Sequence, residues 1–266
     1  MQLFYRRYGE VGKQPIIILH GLFGLSDNWV TYARRLASEC FDVWVLDQRN
    51  HGQSPHSDNF NYIAMTDDLF DFVDENEIED PIIIGHSMGG KVAMRFALEN
   101  PHLVKRLLIV DITLKSYGPR ENHKAIISAM NKVNFDLVQS RQDVEEQIAP
   151  HIREYRIRQF IMKNLRRIEG NRFEWQIYIQ GIEPSLDKMF DGINTINKFN
   201  KPTLFVRGGA SDYILPVDYD QIRYNFPHAE IITIEGASHW VHVEAAERFY
   251  TLSLGFVTGS PSWLKT

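Results

Sequence analysis

The sequence predicts a doubly wound α/β fold, a mostly parallel sheet with helices on each side and a helical insertion between two of its strands. Three observations predict it. Short, continuous apolar runs recur along residues 1–112, as expected of strands buried on both faces. Helical patterns separate those runs. The rhythm then stops after Asp111 and resumes at Thr203.

In chain order, the apolar runs are Pro15–Leu19, Val43–Leu46, Pro81–Ile84 and Leu107–Val110. Between them, the stretch from Tyr62 to Val73 puts Met65, Leu69, Phe72 and Val73 on one helical face. The stretch from Lys91 to Leu98 does the same with Val92 and Phe96, and Asn100-Pro101 ends it, because the residue before proline avoids the α region. Beyond Asp111, charge-rich segments read as helices at 122–133, 141–148, 153–168 and 173–181. Strand runs return at Thr203–Val206 and Glu230–Ile234, followed by a closing helix over 241–257. The expected organisation is a core of residues 1–112 and 197–266 with a cap of 113–196. No internal repeat or low-complexity tract interrupts it.

Composition narrows the function classes. With 44% hydrophobic and 24% charged residues, the chain has the balance of an ordinary globular protein. A net charge of −5 gives no reason to expect nucleic acid as a partner. No apolar run approaches the ~20 residues that span a bilayer, and the N-terminus lacks a signal-peptide pattern. The expectation is a soluble, cytoplasmic protein. Its one cysteine, Cys40, allows no intramolecular disulfide and reads as a small buried core residue.

The chemistry is carried by Gly85-His86-Ser87-Met88-Gly89, which follows an apolar strand and opens a helix. In such a turn, glycines on both sides let the chain pass without clashes and the serine projects above the sheet edge. A serine hydroxyl needs a base to take its proton. His239, after the last strand and before the final helix, is the candidate, with His242 its competitor and more suited to a structural role. His20 reads as a loop-shaping residue, His51 as part of a turn, and His86 as pointing away from the cleft. Backbone N–H groups of Met88 and of Leu22, in the glycine-flanked loop His20–Gly24, are the candidate oxyanion donors. Two carboxylates compete to orient the histidine: Asp111 at a strand end, and Asp212 in the loop after the next strand.

Together with Asp47-Gln48-Arg49-Asn50-His51-Gly52 and Gly236–His239, these motifs resemble the α/β-hydrolase superfamily over nearly the whole chain. Within it they are similar to the bacterial esterase group typified by YbfF and its mitochondrial relatives. The resemblance implies hydrolysis of carboxylic esters, or of thioesters such as acyl-CoA, without a cofactor. It also implies Asp111 as the acid, with Ser211 as a second contact of the histidine.

The insertion should cover the serine and shape specificity. Phe23, Trp175 and Tyr178 are candidate substrate contacts, and Phe160 and Ile182 are further residues that either line an acyl pocket or dock the cap. The stretch holding Arg153, Arg156, Arg158, Lys163, Arg166 and Arg167 either attracts an anionic part of the substrate or forms a solvated face paired with nearby glutamates. Ser87 argues against epoxide hydrolases and dehalogenases, which use an aspartate nucleophile. A carbon–carbon bond hydrolase or lyase with the same residues, and a noncatalytic ligand receptor, are the alternatives. No spacing resembles a metal site.

Overall fold

A computed structural model describes residues 1–118 and 121–260 of the chain. Residues 261–266 of the expected core and 119–120 of the expected insertion lie outside them. The strands are β1 (Tyr5–Gly9), β2 (Gln14–Leu19), β3 (Phe41–Leu46), β4 (Ile82–His86), β5 (Arg106–Val110), β6 (Leu165–Ile168), β7 (Arg172–Trp175), β8 (Thr203–Gly208) and β9 (Ala229–Ile234). The helices are α1 (Val30–Ser38), α2 (Tyr62–Glu75), α3 (Met88–Glu99), α4 (Glu121–Asn131), α5 (Arg141–Ile148), α6 (Tyr155–Met162), α7 (Ile179–Ile182), α8 (Tyr219–Asn225), α9 (Val241–Glu244) and α10 (Ala246–Thr258).

Seven strands form one sheet in the order β1-β3-β2-β4-β5-β8-β9, parallel except for β1, which pairs antiparallel with β3. Alternation along the buried strands feeds two cores. Ile17, Leu19, Ile83, Leu107, Ile109 and Phe205 pack on one face with α2 and α3. Ile16, Ile18, Ile82, Ile84, Leu108 and Val206 pack on the other with α1 and α10. The strand order reverses between β2 and β4, and in open α/β sheets such a reversal leaves a crevice beyond the strand ends.

Four local expectations are corrected. The edge strand β1 was not foreseen; its alternately exposed Tyr5-Arg6-Arg7-Tyr8 lacks an apolar run. The helices expected at 153–168 and 173–181 are instead α6, the hairpin β6–β7 and the short α7. Gly170, at φ +74° in the connection, turns that hairpin, whose strands are too short and too charged to show a period of two. The closing helix breaks at Ala245 into α9 and α10. Cys40 is exposed, in the turn from α1 into β3 at φ +64°.

Residues between β5 and β8 carry a small apolar cluster of their own, including Val144, Ile148, Met162, Leu165 and Phe173. Both ends of this segment meet one side chain. The ammonium of Lys91, fully buried on α3, donates to the carbonyl of Lys115 at 3.0 Å and to that of Asp191. The rings of Tyr62 and Tyr117 lie 5.4 and 5.0 Å from it.

The loop after β3 is fixed to α2 by a buried ion pair. Arg49 meets both Asp68 oxygens at 2.5 and 2.7 Å and spends its remaining donors on the carbonyls of Asn59 and Ala64. Replacing Asp68 by leucine strands the guanidinium and should cost about 3–5 kcal/mol in urea unfolding. The pair Arg49→Met with Asp68→Leu should recover most of that loss.

Candidate active site

The carboxyl ends of β4, β5, β8 and β9 bring the motif residues together. Ser87 sits between β4 and α3 at φ 52°, ψ −119°, a conformation costing about 1–3 kcal/mol for a residue with a side chain. Its neighbours hold it there. Its N–H donates to the Val110 carbonyl at 3.1 Å and its own carbonyl accepts from the Lys91 N–H at 3.1 Å. The turn is closed to side chains, since a Cβ at Gly85 would lie 2.4 Å from the Gly89 carbonyl oxygen, and one at Gly89 would lie 2.4 Å from that of Leu19.

The Ser87 hydroxyl lies 2.9 Å from His239 Nε2, and His239 Nδ1 lies 2.8 Å from Asp111 Oδ2. Asp111 has no solvent exposure and takes φ +50°. Its carboxylate also accepts from the Gly208 N–H at 3.0 Å and from the Ser211 hydroxyl. Because Asp111 only accepts, Nδ1 of His239 donates and Nε2 is left to accept from Ser87. The Tyr213 ring stacks on the imidazole, 3.8 Å between centroids and 15° between planes. Asp212 is exposed; the carboxylate at His239 is that of Asp111.

The family model for the alpha/beta hydrolase fold matches residues 14–144. The chain is 37% identical to the sn-1-specific diacylglycerol lipase of Xenopus laevis over 97% of this chain and 84% of that protein. It is 34% identical to esterase YbfF of Escherichia coli (strain K12), over 87% and 88% respectively. The chain belongs to the α/β-hydrolase family. A solved marine microorganism esterase, 39% identical, superposes with a TM-score of 0.92 over 96% of this chain and 99% of that one. This α/β hydrolase is an enzyme of the serine-hydrolase class.

The loop after β2 is shaped by two buried histidines. Gln48 N–H donates to His20 Nε2 at 3.0 Å, and Phe23 N–H donates to His51 Nε2 at 3.2 Å. Each ring therefore carries its proton on Nδ1, which donates to Gly21 and Arg49 carbonyls respectively. Within the loop the N–H of Gly24 goes to Gly21. Among the described residues, the N–H groups of Leu22 and Met88 have no protein acceptor. His86 is buried beside Ser87 and lines the cleft, not turned away from it; its Nε2 donates to the His239 carbonyl at 3.0 Å. His242 stacks on Trp29 at 4.2 Å and 5°.

A cleft of about 780 Å³ opens over Ser87 and His239. Leu22, Phe23, Ile126, Phe160 and Trp240 supply its apolar wall. Trp175 and Tyr178 do not line it. The Trp175 indole donates to the Met130 carbonyl and packs on Phe135 inside the intervening segment. Tyr178 stacks on His56 and bonds Asp58, over the loop after β3. Ile182 is fully buried in the core. The sequence reading missed His123 on α4, Tyr155 and Gln159 on α6, and Trp240 before α9; no local motif marks them, because only the tertiary fold brings these separate elements to the cleft, where they join Arg156 of the basic stretch.

Burial lowers the pKa of His20 to about 4, that of His51 to about 3, and that of His86 well below the usual value. These rings stay neutral in the folded protein while the unfolded chain binds protons below about pH 6.5. Their contribution to stability is therefore present above that pH and is lost as pH falls towards 4. Urea unfolding between pH 7.5 and 5.0 should show stability falling by up to about 1.4 kcal/mol per histidine per pH unit below 6.5. A flat profile would show that the rings are not held neutral.

Proposed function

We propose that this hydrolase cleaves carboxylic esters or thioesters through an acyl-enzyme on Ser87. The observation that carries the reading is the unbroken chain from the Ser87 hydroxyl through His239 to the buried carboxylate of Asp111, opening into the cleft. The names of the relatives, an esterase and a diacylglycerol lipase, support an ester as the bond attacked.

The steps follow from the donors and acceptors. As Ser87 Oγ attacks the carbonyl carbon, its proton passes to His239 Nε2, and Asp111 stabilises the resulting imidazolium through Nδ1–H. Negative charge develops on the carbonyl oxygen, where the N–H groups of Leu22 and Met88 receive it. Met88 opens α3, so the positive end of that helix adds to the stabilisation. Collapse expels the alcohol or thiol, which takes the proton from His239. Water then attacks the acyl carbon as it gives a proton to His239. The C–Oγ bond breaks with that proton passing from His239 to Ser87 Oγ, releasing the acid and restoring the hydroxyl.

In this reading residues 113–196 act as the cap, with α4 and α6 framing the entrance, and Phe23 and Phe160 contact the acyl part. Among the described residues no helix is long and apolar enough to cross a membrane. The exposed free thiol of Cys40 supports a reducing compartment, the cytoplasm in this proposal.

Ser87→Ala and His239→Ala should each lower kcat on short-chain 4-nitrophenyl esters by about 10⁴–10⁶. Asp111→Asn should lower it by roughly 10⁴, because the amide stabilises the wrong tautomer, while Asp212→Asn should stay within about threefold. Fluorophosphonate labelling of the parent chain and not of Ser87→Ala gives an independent check. Full labelling without Ser87, or an Asp212 effect larger than that of Asp111, would overturn the assignment.

A further inference from the structure

Apart from Arg153, which does not line the cleft, the basic stretch between residues 153 and 167 divides into two groups. Arg158 is held by Glu145 at 3.5 Å and by the carbonyls of Ile152 and Arg153. Arg166 is paired with Glu174 at 2.5 Å across the β6–β7 hairpin, and Arg167 lies over the Phe173 ring. These side chains belong to the fold of the segment itself. Arg156 and Lys163 differ. They stand seven positions apart, at the first turn of α6 and at its C-cap, so they fall on one helical face. That face also carries Gln159 and Phe160, and all four line the cleft that opens over Ser87.

Neither Arg156 nor Lys163 has an ion-pair partner among the described residues. Glu244 is the carboxylate on the lining, and both its oxygens are engaged by Ser238, one by its N–H and one by its hydroxyl, each at 2.6 Å. In a chain with net charge −5, two unpaired cations on one wall of a cleft whose lining carries a single carboxylate, already engaged by Ser238, are a local reversal of sign. A purely solvated face does not require them to border the cleft. An arginine fork and a flexible ammonium on the same wall match the oxygens of an anionic group, and exposure to water at the mouth keeps the cost of desolvating that group low.

Resting on the ester-hydrolase reading, we propose that Arg156 and Lys163 select substrates carrying an anionic oxygen group, a carboxylate or a phosphate. The apolar part of such a substrate would lie along Phe23, Ile126 and Phe160. The anionic group would be held at the mouth by the α6 face. The two cations act on binding and on orientation of the ester towards Ser87, and take no part in the proton transfers.

The test uses Arg156→Gln with Lys163→Gln, first in the Ser87→Ala background so that intact esters can be titrated calorimetrically. One arm compares the monoethyl ester of adipic acid with its uncharged carboxamide isostere, placing the charge on the acyl side. The other compares butyrylglycerol phosphate with butyrylglycerol, placing it on the alcohol side. In at least one arm the charged probe should bind in preference to its neutral partner. The double substitution should lower that preference by roughly tenfold, the size expected of two partly exposed charge pairs, and raising salt should lower it likewise. With Ser87 intact, the ratio of kcat/KM for charged over neutral ester should fall in parallel, mainly through KM.

Both substituted side chains are exposed, so the thermal midpoint of the double variant should match that of its parent and report a folded protein. An unchanged charged-to-neutral ratio in both arms, or no preference for charge in the parent, overturns the proposal. Charge-selective binding without turnover of any ester by the parent would instead overturn the hydrolase reading and leave the anion site standing.

Discussion

One buried carboxylate organises the carboxyl end of this sheet. Asp111 accepts from Gly208 N–H, from the Ser211 hydroxyl and from His239, which is 128 positions away in sequence. Those donors come from the last residue of β8 and from the loops after β8 and β9, while Asp111 itself follows β5. A carboxyl group with no exposure is tolerable only if its oxygens are satisfied, so the loops must converge for the folded state to be stable. The same requirement that stabilises the fold thus places the imidazole at the Ser87 hydroxyl. Without Asp111, the side chain of His239 would keep the Tyr213 stack and lose the bond that sets its tautomer.

A second layer of polar satisfaction fixes the other side of the site. His20 and His51 act as neutral hydrogen-bond pieces between β2 and the loop after β3. His51 accepts from the Phe23 N–H and thereby directs a loop whose Leu22 N–H stays available. His51 in turn donates to the carbonyl of Arg49, whose guanidinium is locked to Asp68 on α2. An ion pair on one side of the molecule is therefore connected, bond by bond, to the backbone of the loop beside Ser87. The sharp strand–helix turn at Ser87 adds strain that only such surroundings sustain.

The parts of this architecture legible in the sequence are those encoded locally. Continuous apolar runs such as Ile82-Ile83-Ile84 mark buried parallel strands, and the glycines around Ser87 mark a turn where backbone passes backbone. β1 was not legible because an exposed edge needs no apolar pattern, and the β6–β7 hairpin was not because four-residue strands carry almost no periodicity. The acid could not be chosen by spacing either: Asp111 and Asp212 both follow strands, and only the pairing of β5 beside β8 brings Asp111 under His239. Trp175 and Tyr178 looked like ligands of an acyl chain because large aromatics in an insertion suit either packing or binding. Their polar atoms decide the matter, since the indole N–H and the phenol each find a protein partner away from the cleft.

The intervening segment is joined to the helix after Ser87 by more than proximity. Lys91 lies one turn into the helix that Ser87 caps, and its ammonium reaches the carbonyls of Lys115 and Asp191, near where the segment leaves and rejoins the sheet. Asn164, also fully buried, donates to the Phe23 carbonyl and so ties the far end of α6 to the loop after β2. α6 thus has one anchor on the loop after β2, and its parent segment has two on α3. Backbone carbonyls are the acceptors at all three, so the anchors constrain where the segment sits without dictating its exposed side chains. The wall facing Ser87 is in consequence free to vary in charge and shape while the reacting atoms stay in register.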